Sequence, residues 1–73
     1  MNIKAENIIK HVERNGRVIL KMDAASGIYQ MVITKRTNDY VVGEHPNGIL
    51  RRATLADVRA ILTANSVYIE SYR

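Results

Sequence analysis

His11 and His45 are the side chains of this 73-residue chain whose ordinary pKa lies nearest neutrality, so acid–base or metal chemistry would begin with them. A zinc site needs partners at spacings such as H-x-x-x-H. Neither histidine has a second histidine, a cysteine or a carboxylate so placed. Glu44 adjoins His45, but neighbours on a strand point to opposite faces, which argues against a relay between them. His45 reads as an exposed turn residue before Pro46, and His11 as a helix residue beside the apolar stripe. Ser26-Gly27 and Gly43 form no phosphate-cradling loop, because neither G-x-x-x-x-G-K-S/T nor G-x-G-x-x-G occurs; Gly43 is expected to mark a bulge. No serine has a histidine–aspartate relay written near it, although triads are assembled in space. The expectation is a non-enzyme, with no catalytic residue, metal or cofactor assigned.

The other chemistry-bearing residues are basic. Lys35-Arg36 and Arg51-Arg52 form two doublets; with Arg17, Lys21 and Arg59 they are expected to line a phosphate-binding or acid-binding surface. Seven of the eleven cations are arginine, the better bidentate partner for phosphate or carboxylate. The bland alternative is solvated charge at turns and edge strands that blocks sheet-to-sheet aggregation. The net charge of +4 resides in residues 1–38, with seven Lys/Arg against three acids; residues 39–73 carry four of each. A basic half invites nucleic acid, an acidic protein surface or anionic lipid, and the same charge serves solubility. Tyr29, Tyr40, Tyr68 and Tyr72 offer rings for base stacking, or ordinary half-buried strand positions. Tyr68 and Tyr72 are expected on one face of the last strand.

These residues must be positioned by a small α+β domain spanning 1–73. Ala5, Ile8, Ile9 and Val12 repeat at helical spacing, with Asn2 as N-cap and Gly16 as stop, which predicts a helix over 3–15. Alternation predicts strands over 17–22 and 28–35, separated by a loop over 23–27, and a third strand beginning at Tyr40-Val41-Val42. His45-Pro46-Asn47-Gly48 reads as a turn leading to a short strand over 49–52. Thr54 and Asp57 cap a second helix whose buried stripe is Leu55, Val58, Ile61 and Leu62. Residues 67–72 alternate again. The order α-β-β-β-(β)-α-β implies an antiparallel sheet of three to five strands with two helices on one face. The place of the last strand in the sheet is open.

If Val18, Leu20, Met22, Tyr29, Met31 and Ile33 face the helices, the opposite face still carries Ile19, Ile28 and Val32 among Gln30 and Thr34. A one-sided sheet normally has a cleaner polar outer face, so this mixture suggests docking or dimerisation. The element order, with Thr54-Leu55 through Val67 closing it, resembles double-stranded-RNA-binding domains and HicA-type ribonucleases. The latter family has a catalytic Gly-Ser-His segment near its second strand; this chain reads Ser26-Gly27-Ile28 there, so the resemblance implies no activity.

The composition excludes disulfides and thiolate metal sites, there being no cysteine. No run reaches membrane-spanning length, and the first residues lack the order of a signal peptide, so the expectation is a cytoplasmic protein without a membrane partner. The leading functional expectation is a small non-catalytic inhibitor or regulator, of phage or mobile-element type, docking stoichiometrically onto a larger protein or nucleoprotein. The expected contact residues are Arg17, Ile19, Lys21, Val32, Lys35, Arg36, Arg51 and Arg52. A basic nucleic-acid-binding module is the alternative, and a homodimer is a further arrangement left open.

Overall fold

Local signals set the first helix. In the computed structural model, which describes residues 2–46 and 48–73, helix α1 runs Ile3–Asn15. The Ala5 amide donates to Asn2 Oδ1 at 3.0 Å, which caps the start. Gly16 at φ +85° returns its amide to the Val12 carbonyl, which ends the helix in the left-handed conformation. Helix α2, Leu55–Ala64, opens on a reciprocal capping box: Asp57 N–H donates to Thr54 Oγ1, and Thr54 N–H donates to the Asp57 carboxylate.

The strands are β1 Arg17–Ala24, β2 Gly27–Lys35, β3 Tyr40–His45, β4 Ile49–Ala53 and β5 Ile69–Tyr72. They form one antiparallel sheet in the order β4-β3-β2-β1-β5. The first four strands make a meander. Helix α2 then carries the chain from the β4 edge to the opposite edge, where β5 pairs with β1. Lys4 Nζ helps fix this return by donating to the carbonyls of Ser66 and Ile69, at 3.0 and 3.1 Å.

Val18, Leu20, Met22, Met31, Ile33, Tyr40, Val42, Ala53 and Ile69 are buried on the helix side of the sheet. They meet Ala5, Ile8, Ile9 and Val12 of α1, and Val58 and Leu62 of α2, in one apolar cluster. Both helices lie on this side, as the α+β reading expects. A fourth and a fifth strand go beyond the helix, three strands and helix of the resemblance.

Four expectations need correction. The loop over 23–27 is a two-residue turn at Ala25-Ser26: Ala24 pairs with Gly27, whose φ of +124° lets the chain reverse without leaving the ladder. Gly43 makes no bulge; it lies in regular register between Val32 and Leu50, and β3 continues to His45. The register shift lies instead where β5 meets β1, between Lys21 and Met22. The last strand starts at Ile69, because Ser66–Tyr68 forms a 3₁₀ turn; Tyr68 therefore shares no strand face with Tyr72. The buried stripe of α2 is narrower than expected: Val58 and Leu62 are buried, Ile61 packs at the margin, and Leu55, the first helical residue, is 40% exposed. Within the expected turn after His45, Asn47 lies outside the described residues, while Gly48 N–H donates to the Glu44 carbonyl.

Candidate docking face

The strand registers build the face opposite the helices row by row. The central row runs Ile19, Val32, Gly43, Leu50 across β1 to β4. On one side lies the row Arg17, Thr34, Val41, Arg52. On the other lies Ser71, Lys21, Gln30, His45 across β5 to β3. An aliphatic band is therefore bordered by cations on both sides. Neither helix covers it: Leu50 is 70% exposed and Ile28, further along β2, 65%, while Ile19, Val32 and Val41 are half-buried by their neighbours. An open groove follows this face past Ile19, Lys21, Gln30 and His45 to Pro46.

Gly43 shapes the band. A Cβ built on it would stand 2.6 Å from Leu50 Cδ2, so the bare backbone allows Leu50 to lie inward across β3. Leu50, Gly43 and Val41 are site residues that the sequence reading did not assign. The available signal was alternation: once β3 runs past Val42, Val41, Gly43 and His45 fall on one face.

Of the eight expected contact residues, Arg17, Ile19, Lys21, Val32 and Arg52 share this face. The registers direct Lys35 and Arg51 to the helix side, because Lys35 aligns with Tyr40 and Arg51 with Val42. Lys35 Nζ lies 2.6 Å from Glu13 of α1 and 5.3 Å from the Tyr40 ring centre. Arg36 occupies the β2–β3 turn, 3.3 Å from Asp39, which also lies 3.7 Å from Arg52. Arg59 of α2 makes a two-pronged contact with Glu6 of α1. The single basic surface drawn from both doublets and Arg59 is thus divided. Consecutive strand residues point to opposite sides, and Lys35 and Arg59 take carboxylates of α1.

The ion pairs leave their mark on titration. Hydrogen bonds from Lys35 first, then from Tyr40, hold the Glu13 carboxyl below its ordinary pKa. The Lys35 ammonium is pushed up by the same hydrogen bond. Burial of the Tyr40 ring, reinforced by Glu13, raises its phenol. The Arg59 hydrogen bond lowers Glu6. These groups join elements to one another and face away from the docking face.

The tyrosines stand outside the rows of that face, with Tyr29 and Tyr72 at the border of its groove. Tyr29 aligns with Met22 and Tyr72 with Leu20, both helix-side positions, and Tyr40 is buried. The Tyr72 ring packs edge-on against His11, 5.5 Å between centroids. His45 is at the end of β3 and alternates away from Glu44. Among the described residues no group of three or more His, Cys, Asp or Glu is placed to hold a metal ion. Among them, too, no helix is long and apolar enough to cross a membrane. No protein-family model matches the chain, and comparison with curated proteins and with solved structures returns no match.

Proposed function

We propose that this chain is a small non-catalytic inhibitor or regulator that docks stoichiometrically onto a larger protein or nucleoprotein through the outer face of its sheet. The observation that carries the reading is the uncovered Ile19–Val32–Gly43–Leu50 row with Arg17, Arg52 and Lys21 beside it. Apolar groups at the centre of a contact supply desolvation energy, and charges at its rim set orientation and encounter rate. Two layers already close the core on the helix side, so the aliphatic side chains on the outer face contribute little to it.

The nucleic-acid reading draws on the same cations, since Arg17, Lys21 and Arg52 could each meet a phosphate. The two readings predict different behaviour in pull-downs. Tagged protein should retain its partner after nuclease treatment, and Ile19→Asp or Leu50→Asp should lose it while keeping the melting curve of the parent. Retention of the same partner by both variants would overturn the docking face. Loss of the partner on nuclease treatment alone would favour the nucleic-acid reading.

A further inference from the structure

We infer that the partner's contact surface is an acidic protein segment: an aliphatic ridge flanked on both sides by carboxylates. This rests on the docking face proposed above and specifies what fits it. Three strand spacings of about 4.8 Å separate Ile19 from Leu50, so the apolar row is about 14 Å long. That is between two and three turns of a helix, or four residues of a strand. The cations stand in the rows immediately beside it, which puts partner carboxylates one side-chain row from the ridge on each side.

The charges on this face are open to exchange. Lys21 meets Glu70 at 3.5 Å with both side chains about half exposed, and Arg52 is 71% exposed at 3.7 Å from Asp39. Arg17 has no carboxylate within ion-pair distance among the described residues. Such loose, solvated pairs hold their cations weakly, and a partner carboxylate brought in with apolar contacts competes well. The acids of this face are Asp23 at the far end of β1, Glu70 beside Lys21 and Asp39 beside Arg52; against them stand Arg17, Lys21, Arg52 and Arg73, the last paired through its backbone with Ile19.

The same arrangement argues against the other occupants. A two-fold dimer through this face would set cationic rows against cationic rows, because an isologous contact repeats one patch on both partners. Nucleic acid would seek rings to stack on and a continuous cationic track. This face presents aliphatic side chains at its centre and separated cations, and the two tyrosines that border its groove, Tyr29 and Tyr72, pack against the core and against His11 on the helix side.

The test uses the intact chain, labelled with ¹⁵N, and three twelve-residue amphipathic peptides with one leucine ridge flanked by Glu, Gln or Lys. The Glu peptide should shift amides of Arg17, Ile19, Val32, Leu50 and Arg52 and bind about tenfold more tightly than the Lys peptide, the sum of a few exposed charge contacts. The double variant Arg17→Glu/Arg52→Glu should reverse that order. Equal binding of all three peptides on this face would overturn the acidic partner and leave the docking face standing. A twelve-nucleotide single strand shifting the same amides more tightly than the Glu peptide, or self-association abolished by Leu50→Asp, would likewise replace the acidic segment by another occupant. Shifts confined to the helix side with every probe would overturn the docking face itself.

Discussion

The Leu50 side chain lies against the bare α-carbon of Gly43, so near that a Cβ there would come within 2.6 Å of Cδ2. One strand lends its missing side chain to the next, and the aliphatic row closes over the gap. Gly43→Ala should therefore move Leu50 outward. The clash is with the free end of an exposed side chain, and the Gly43 backbone is ordinary strand. Relief of the clash is cheap and alanine lowers the entropy of the unfolded chain, so stability should change by less than about 1 kcal/mol. Partner affinity should fall. Urea melts and the Leu50 methyl contacts in NMR spectra check both parts; a loss of several kcal/mol would show that Gly43 serves the core.

Core truncations should rank by burial. Ile8 and Leu62 are 0% and 1% exposed, so alanine at either should cost about 2–5 kcal/mol. Ile61, at the margin of the cluster, should cost less than either. Urea denaturation of the three variants gives the order, and an Ile61 effect equal to that of Ile8 would contradict the helix phase described above.

Cation reversal should divide by sheet side. Arg17→Glu and Arg52→Glu should leave stability within about 0.5 kcal/mol and weaken partner binding. Lys35→Glu places a carboxylate beside Glu13 and should lower the melting temperature without altering the docking face. Melting curves and binding isotherms on the same three proteins separate the two outcomes.

Acid should loosen the link between α1 and β2. Glu13 titrates below its ordinary value in the folded chain, so its contribution is complete above the unfolded carboxyl pKa of about 4.3 and is lost as pH falls through the lower folded value. Lys35 and Tyr40 are raised, so their contributions are complete below about pH 10 and are lost as pH rises further. Glu13→Gln should flatten the acid limb of the melting-temperature profile relative to the parent. An unchanged acid limb in that variant would show that the ion pair does not form in solution.

Local chemistry was readable from the chain because it depends on near neighbours. Asn2, Gly16, Thr54 and Asp57 act within four residues of themselves, and their caps appear where their spacing places them. Alternation likewise assigned Ile19, Ile28 and Val32 to the face away from the helices, since a strand's two-residue period depends on nothing beyond the strand. The sequence by itself thus determined the two helices, the order of helices and strands along the chain, the two faces of β1 and β2, and the α+β class. Tertiary structure decided the rest. The seat of β5 beside β1 depends on how far α2 carries the chain across the sheet and on Lys4 reaching the carbonyls of Ser66 and Ile69, more than sixty residues away. The separation of Lys35 from Arg52 depends on the registers that set Lys35 against Tyr40 and Arg52 against Val41, and on α1 bringing Glu13 to Lys35. The row from Ile19 to Leu50 exists only when four strands pair in one register, because no stretch of chain holds those residues together until the backbone hydrogen bonds align them.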